Sequence, residues 1–286
     1  MGRLASLLWP LSHPLQATRT ATRWIGNPVS DRDWIFIVGA PRSGTTLMKT
    51  LMVAHSQLGG TDYESTGIFR IRNLETYCPS DLGKEQTQQM RAQSPKIVQF
   101  YDSVAEAVMA KRGAANFVDK LTVRAWRLRF VTKHYPKARF VNIVRDGRDC
   151  LCSARRHPNV LQSESVRGFA EYWRYCVETP QEFINPEQMT TVRYEDLTAE
   201  PAETLSKLMG FVNLPFEDAQ IDPGVYSTTS TMKKREVHKN LAKSINTGSH
   251  LRWKAELSES DQQEFASVAG KALKAHRYPL GDSDET

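Results

Sequence analysis

The chain has 286 residues, of which 40% are hydrophobic and 24% are charged, a balance typical of a folded globular protein and not of a disordered or fibrous one. Its formal net charge of +6 indicates a surface that attracts anions, such as a charged nucleotide, nucleic acid or a membrane surface. The four cysteines lack metal-binding spacing, and a core of this size needs no disulfide, so reduced thiols and a cytoplasmic location are expected.

The chain shows no linker-like break, so we expect a single domain over residues 31–280. Residues 1–30 contain no Asp or Glu and are predicted to form a flexible arm, and residues 281–286 a C-terminal tail. The apolar stretch 4–11 is interrupted by Pro10 and is too short to cross a membrane. The sequence therefore predicts one globular unit with irregular ends and no membrane span.

Strands and helices alternate along the chain. In order, the patterns predict a strand at 34–38, a helix at 45–55, a helical segment at 85–112, a strand at 116–119, a helix at 123–134, a strand at 138–144, helices at 148–156 and 166–183, a strand at 189–194, a helix at 202–212, loop over most of 215–248, and a helix at 261–275. The predicted fold class is α/β, with a P-loop-like doubly wound parallel sheet flanked by helices. Ligands of such sheets bind beyond the carboxyl ends of the strands.

A glycine-rich turn follows the first predicted strand. Residues 39–46 have the glycine spacing of a Walker A loop, but Thr45 occupies the position of its lysine. A triphosphate is therefore poorly explained, because that lysine reaches the β- and γ-phosphates. A ligand with one 5′-phosphate and an attached sulfuryl group would still be held by backbone N–H groups, a cation and hydroxyls. The residues predicted to contact it are Arg42, Ser43, Gly44, Thr45 and Thr46.

A second basic turn follows the strand at 138–144. Arg145 directly follows this strand, which directs its guanidinium into the ligand crevice, and Ser153 lies one or two turns into the next helix. Taken alone the motif is weak, because an Asp-Gly turn flanked by arginines is often a solvated ion-pair cluster. Two anion-binding turns at neighbouring strand ends are a stronger indication than either one.

Segments 41–47 and 144–153 together resemble the 5′-phosphosulfate loop and the 3′-phosphate motif of sulfotransferases that use 3′-phosphoadenosine 5′-phosphosulfate (PAPS). The resemblance is closest to the tyrosylprotein sulfotransferase branch and its bacterial relatives, and it extends in order from about Trp34 to Trp253. It implies transfer of a sulfuryl group from PAPS, without a metal, to a hydroxyl or phenol acceptor by in-line displacement. The acceptor it implies is a small molecule, a carbohydrate or a peptide tyrosine.

The resemblance also implies catalytic roles. Glu64 is similar to the glutamate that acts as general base in this family, with Asp62 and Glu75 as lesser candidates. A helix N-cap carboxylate is the alternative for Glu64. Lys120 is similar to the lysine that neutralises the leaving group, although an ion pair with Asp119 is also possible there.

Further donor contacts follow from the same resemblance. Arg42 supplies positive charge to the transferring group, and Tyr194 is expected near the adenine or the 3′-phosphate. Ser249 and Arg252 belong to a late loop that covers the cofactor. A further 3′-phosphate contact is expected from one of three consecutive residues, Arg155, Arg156 and His157.

Two other functions remain open at this stage. A P-loop kinase or nucleotide triphosphatase would use Glu195 and Asp196 as its acidic pair, but the threonine in place of the loop lysine opposes it. A non-catalytic anion-binding module would use the basic surface. No nucleic-acid-binding motif is present, so nucleic acid is not an expected partner.

Overall fold

The structure is a computed structural model that describes residues 12–61, 68–69, 77–79, 82–157, 160–228, 245 and 247–280. Five strands form a sheet in the order β2-β3-β1-β4-β5, and all neighbouring strands pair in parallel. The strands are Ile35–Gly39 (β1), Leu58–Gly59 (β2), Asn116–Lys120 (β3), Arg139–Val144 (β4) and Met189–Arg193 (β5).

Helices cover both faces of this sheet. One core contains side chains of Lys84–Gln93 (α3), Ile97–Arg112 (α4), Ala125–His134 (α5), Gly147–Arg155 (α6), Val166–Phe183 (α7), Trp253–Glu256 (α11) and Glu259–Ala275 (α12). The other contains side chains of Thr45–Val53 (α2), Tyr194–Ala199 (α8), Pro201–Phe211 (α9) and Pro223–Tyr226 (α10). Short 3₁₀ helices span Leu161–Glu164, Pro186–Gln188 and Asp218–Gln220.

The central strand β1 has apolar side chains on both faces. Phe36 and Val38 enter the first core, whereas Ile35 and Ile37 enter the second. All four are buried because neighbouring side chains of a strand point to opposite faces and both faces are covered. The continuous apolar run in the sequence is therefore the consequence of a position between two layers of helices.

Most of the predicted elements agree with the structure. The helix predicted at 166–183 has those limits as Val166–Phe183. The segment predicted as helical over 85–112 is instead two helices separated near Pro95, because proline has no N–H and disfavours helical geometry at the residue before it. The strand β2 was not predicted, because two residues are too short to show a pattern. Much of the loop predicted at 215–248 lies outside the described residues.

The N-terminal region differs from the predicted flexible arm. Residues Pro14–Trp24 form a helix (α1) that begins with a proline, a residue compatible with the first helical turn. The Trp24 ring packs edgewise on Trp126 and Phe130, with ring centroids 5.7 and 4.9 Å apart. These aromatic contacts hold a segment for which the polar composition predicted no packing against the rest of the protein. Residues 1–11 and the predicted tail at 281–286 lie outside the described residues.

Among the residues that the structure describes, no helix combines the length and the apolar character needed to cross a bilayer.

A buried ion pair connects α2 to β3 beneath the carboxyl edge of the sheet. The Lys49 Nζ lies 2.9 Å from the Asp119 Oδ1, and both side chains are at most 5% exposed. The same ammonium is 3.2 Å from the Thr61 hydroxyl, and the Tyr101 hydroxyl donates to the other Asp119 oxygen at 3.0 Å. Because every one of these groups is inside the protein, loss of one leaves another charge or donor without compensation.

Replacement of Lys49 by alanine is expected to lower the free energy of unfolding by about 3–5 kcal/mol, since the Asp119 charge would stay buried without its cationic partner. Urea denaturation measures this change. The control is Lys207→Ala, which removes an exposed lysine paired with Glu203 and is expected to change stability little. Equal, small effects of the two substitutions would contradict the importance of the buried pair.

Candidate active site

The carboxyl ends of four parallel strands bring the predicted site residues to one edge of the sheet. The loop at 39–46 follows β1, Lys120 ends β3, Arg145 follows β4, and Tyr194 follows β5. Because β1 lies between β3 and β4, the residues at these strand ends surround the glycine-rich loop on both sides. This is the crevice in which open α/β sheets bind ligands.

The conformation of the loop depends on two glycines. A Cβ at Gly39 would lie 2.4 Å from the carbonyl oxygen of Ile143 on β4, so only glycine allows this approach. Gly44 has a φ of 95°, and a Cβ there would lie 2.5 Å from the ring of Tyr194. Ser43 is buried and donates its hydroxyl to the Ala40 carbonyl at 2.7 Å, which closes the turn. The loop is therefore packed directly against the next two strands of the crevice.

The loop leads into the first turn of α2. This helix begins at Thr45, and its first backbone N–H groups have no partner within the helix, as at any helix N-terminus. The Lys120 ammonium donates to the Thr46 hydroxyl at 3.1 Å. The alternative partner of Lys120, Asp119, is fully buried and pairs with Lys49. Lys120 thus adds its charge to a helix terminus that already favours anions.

Two arginines lie together at the centre of the crevice. The Arg145 side chain donates to the Arg42 carbonyl at 3.2 Å and to the Ser249 carbonyl at 2.7 Å, and its guanidinium lies 4.6 Å from the centroid of the Tyr194 ring. Arg42 has a left-handed φ of 70° and donates its Nε to the Ser153 hydroxyl at 3.1 Å. This hydrogen bond joins the first predicted motif to the second.

The arrangement concentrates positive charge below the surface. Arg145 is 5% exposed, and its buried Nε makes no hydrogen bond within the described part of the chain. Burial lowers the pKa of Arg42, and the nearby Arg145 acts in the same direction. Two adjacent guanidinium groups that are poorly hydrated and incompletely paired form a site that an anion would stabilise.

Glu195 does not have the position that a kinase would require. One of its carboxylate oxygens accepts from the backbone N–H of Asp146 at 3.1 Å, and the other accepts from the Tyr278 hydroxyl at 2.8 Å. Its neighbour Asp196 accepts from Arg193 at 3.2 Å and is about half exposed. Glu195 therefore supports the turn after β4, and Asp196 pairs with the last residue of β5.

The late segment contributes one of its two predicted residues to the crevice. The Ser249 hydroxyl lies 3.0 Å from the hydroxyl of Tyr194, so these two predicted donor contacts are neighbours. The Arg252 guanidinium instead pairs with Glu256 at 2.9 Å on the next turn. The contact of Arg252 with the donor therefore stays a prediction.

The structure separates the three candidates for an additional phosphate contact. Arg155 pairs with Asp261, and Arg156 pairs with Glu256, so both guanidinium groups are engaged elsewhere. Neither ring nitrogen of His157 makes a hydrogen bond to the residues that the structure describes. Partial burial and the nearby Arg42 lower the pKa of His157. His157 is thus the member of the three that is not engaged in an ion pair and that lies near Arg42.

Glu64 and its two alternatives, Asp62 and Glu75, lie outside the described residues. The assignment of the general base therefore stays a prediction.

A comparison of the sequence with protein-family models finds a match over residues 33–218 to the model described as "Sulfotransferase family". The match covers well over half of the chain and contains both phosphate motifs, β1 to β5 and Lys120. The chain belongs to the sulfotransferase family. Membership confirms the prediction of a PAPS-dependent sulfotransferase, and the kinase alternative is not favoured.

Similar curated sulfotransferases are found in animals. "Protein-tyrosine sulfotransferase 1" of Danio rerio is 27% identical over 286 aligned residues, which cover 91% of this chain and 77% of that protein. The human protein of the same name is 24% identical, with 88% of this chain and 71% of that protein covered. "Protein-tyrosine sulfotransferase" of Drosophila melanogaster is 25% identical, and the match covers 82% of this chain but 50% of the fly protein.

Solved sulfotransferase structures share the fold. The sulfotransferase domain of the Synechococcus PCC 7002 olefin synthase has a TM-score of 0.61 at 18% identity, with 90% of this chain and 99% of that domain covered. A mouse sulfotransferase complexed with PAP has a TM-score of 0.53 at 17% identity, with 90% and 91% covered. At such identities the likeness establishes the fold, and it confirms the predicted α/β class.

One residue with a clear place in this sulfotransferase site was not found from the sequence. Asp149 lies four residues after Arg145, and its carboxylate accepts from the backbone N–H groups of Leu251 and Trp253 at 2.9 and 3.0 Å. Its partners are backbone groups more than one hundred residues away, so no sequence motif marks the contact. An aspartate in the first turn of a helix is otherwise explained by the helix dipole.

Replacement of Gly44 by alanine is expected to abolish donor binding, because the new Cβ would displace the Tyr194 ring. The control is Gly113→Ala, since Gly113 has a left-handed φ of 66° but a Cβ there would have no neighbouring atom within 4 Å. Both variants should lose about 1 kcal/mol of stability from backbone strain. Calorimetric titration with adenosine 3′,5′-bisphosphate compares them, and equal binding by both variants would contradict the role of the Gly44 contact.

Proposed function

We propose that this sulfotransferase binds PAPS across the carboxyl edge of its sheet and transfers the sulfuryl group to a phenolic hydroxyl. The observation that carries the proposal is the hydrogen bond between Arg42 and Ser153, which unites the 5′ and 3′ phosphate motifs in one buried cationic cluster. A ligand with a phosphate at each end of a nucleoside matches two anion sites held at neighbouring strand ends.

The roles of the donor-binding residues follow from their places in the crevice. Backbone N–H groups of the loop and of the first turn of α2 would hold the 5′-phosphosulfate, as helix N-termini hold other anions. Arg145 and Ser153 would hold the 3′-phosphate, for which the free Nε and the serine hydroxyl are suitable donors. Tyr194 would support this side through its ring, which already covers the Arg145 guanidinium.

Transfer itself needs positive charge at the leaving oxygen and a base at the acceptor. Lys120 is suited to the first task, because its ammonium reaches the Thr46 hydroxyl in the first turn of α2. Glu64 remains the residue proposed for the second task, by resemblance. In the proposed reaction the acceptor oxygen loses its proton to the base and forms a new bond to the sulfur. The bond between the sulfur and the bridging phosphate oxygen of PAPS breaks at the same time.

The acceptor is proposed to be the tyrosine of a peptide. The proposal is supported by the names of the curated relatives in fish, human and fly, which are protein-tyrosine sulfotransferases. A tyrosine phenol has a pKa near 10, and its oxygen becomes more acidic as the S–O bond forms, so a carboxylate can accept its proton during the transfer. Small phenols and carbohydrate hydroxyls offer the same reacting atom without a peptide chain, and they serve as comparison substrates.

We also propose that the protein works in a reducing compartment such as the cytoplasm. The proposal is supported by the four cysteines, which are all unpaired thiols, three of them buried. Burial raises the pKa of Cys176 and of Cys152 to about 12, so these thiols are poor nucleophiles and serve as packing groups.

Calorimetric titration with adenosine 3′,5′-bisphosphate, and separately with ATP and Mg²⁺, tests the donor assignment. We expect binding of the bisphosphate in preference to ATP. Arg145→Ala should weaken it by about ten- to hundredfold, because charge-assisted hydrogen bonds are worth about 1.5–3 kcal/mol each. Arg167→Ala, which removes an exposed arginine paired with Glu264, is the control and should bind normally. Preference for ATP, or full binding by Arg145→Ala, would contradict the proposed donor site.

The pH dependence of the same binding tests the place of His157. Its pKa is lowered in the free protein, and a phosphate beside it would raise that pKa, so binding should take up a proton and tighten as the pH falls through the pKa. The ratio of dissociation constants of His157→Gln and wild type should rise on acidification from pH 7.5 to 5.5, by about tenfold for each unit that binding raises the pKa. Protonation of the ligand phosphates cancels in this ratio. A ratio that does not change with pH would place the phosphate away from His157.

A further inference from the structure

One buried carboxylate lies within the second phosphate motif but is not among its predicted phosphate contacts. Asp149 is the third residue of α6 and is 1% exposed. Each of its oxygens accepts a backbone N–H from a distant part of the chain: Oδ2 from Leu251 at 2.9 Å, and Oδ1 from Trp253 at 3.0 Å. A buried carboxylate that uses both oxygens for two backbone groups holds those groups in a defined position.

Residues 249–253, which we name the covering segment, begin at the donor site. The carbonyl of Ser249 accepts from the Arg145 guanidinium at 2.7 Å, and its hydroxyl lies 3.0 Å from that of Tyr194. Only His250 lies between Ser249 and Leu251, whose N–H is the first that Asp149 binds. A shift of the backbone at Leu251 would therefore also move the nearby Ser249 carbonyl, which accepts from Arg145.

The backbone of the covering segment would not take this shape without support. Leu251 has a φ of 55°, a left-handed conformation that is unfavourable for a residue with a Cβ. Its side chain is about half exposed, so burial of leucine contributes little to holding it. The bond from its N–H to Asp149 is well placed to stabilise this conformation.

Other contacts hold the two flanks of the covering segment. The His250 ring lies 2.6 Å from the Thr198 hydroxyl. The guanidinium carbon of Arg148 lies 3.5 Å from the centroid of the buried Trp253 ring. Arg148 in turn pairs with Asp146. Loss of the Asp149 bonds would therefore loosen the middle of the segment while its two sides stay attached.

We propose that Asp149 is a positioning residue for donor binding: it holds the covering segment against α6, and the segment in turn fixes the Arg145 guanidinium for the 3′-phosphate of the donor. The proposal rests on the proposed function, because the effect requires a phosphate at Arg145. Asp149 touches neither donor nor acceptor in this scheme, and it acts through the Ser249 carbonyl.

The charge of Asp149, considered without its hydrogen bonds, predicts that Asp149 opposes donor binding. Asp149 is a carboxylate near Arg145, and a negative charge near an anion site weakens anion binding. Replacement of Asp149 by asparagine would then strengthen donor binding if charge were decisive. It would weaken donor binding if position is decisive, because the amide nitrogen of asparagine cannot accept one of the two N–H bonds. The sign of the change separates the two effects.

The experiment compares Asp149→Asn with Asp261→Asn, which removes a carboxylate paired with Arg155 at the surface of the neighbouring helix. For Asp149→Asn we expect the KM for PAPS and the Kd for adenosine 3′,5′-bisphosphate to rise about tenfold. The kcat at saturating PAPS should stay within about twofold of wild type, because a positioning residue for donor binding acts on KM. Asp261→Asn should match wild type in all three constants.

Hydrogen exchange supplies a second readout. The amides of Leu251 and Trp253 should exchange faster in Asp149→Asn than in wild type or Asp261→Asn, and bound adenosine 3′,5′-bisphosphate should slow their exchange in wild type. If Asp149→Asn does not fold, this wild-type comparison decides the question, and amides indifferent to the ligand would overturn the proposal.

The remaining outcomes are also decisive. Unchanged or tighter bisphosphate binding by Asp149→Asn, or a loss of kcat at unchanged KM, would overturn the positioning role and leave the donor site intact. Failure of the wild-type protein itself to bind the bisphosphate would instead overturn the proposed function.

Discussion

The burial of the Arg145 guanidinium beside the half-buried Arg42 is the constraint on which the site depends. Arg42 and Arg145 repel each other, and burial weakens the solvation of both, so the surrounding structure must supply acceptors. It does so with the carbonyls of Arg42 and Ser249, the Ser153 hydroxyl and the face of the Tyr194 ring. These come from the turns after β1 and β5, from α6 and from the covering segment, whereas Arg145 itself follows β4. The sheet order matters to the chemistry because it brings those segments together.

The donor site uses backbone geometry as much as side chains. Gly39 and Gly44 permit close contact with β4 and with Tyr194, and this contact places the loop beside the second motif. Specificity for the acceptor would instead depend on side chains, since a hydroxyl acceptor requires a base and a surface that fits its remaining atoms. Such a division fits the occurrence of one fold in proteins with such different names as protein-tyrosine sulfotransferase and the sulfotransferase domain of an olefin synthase.

The sequence predicted those features that are encoded locally. The apolar run of β1, the limits of α7 and the spacing of the two phosphate motifs are all readable within a few residues, and the structure agrees with each. It did not predict the contacts of Asp149, because its partners are backbone N–H groups in a remote segment. It also missed α1, whose residues are mostly polar and are held by the packing of Trp24 on Trp126 and Phe130. Arg252 was assigned by resemblance, and its pairing with Glu256 is a local contact that the resemblance did not indicate.

Asp119 and Lys120 are adjacent in β3, but their side chains point to opposite faces of the strand and have different partners. Asp119 points inward to Lys49 and Tyr101, and Lys120 reaches the start of α2. Since successive side chains of a strand point to opposite faces, a shift of β3 by one residue would exchange their surroundings. The lysine would then be buried, and a carboxylate would face an anionic donor. The register of β3 against β1 is therefore under chemical constraint, because it decides which of these two side chains lies at the start of α2.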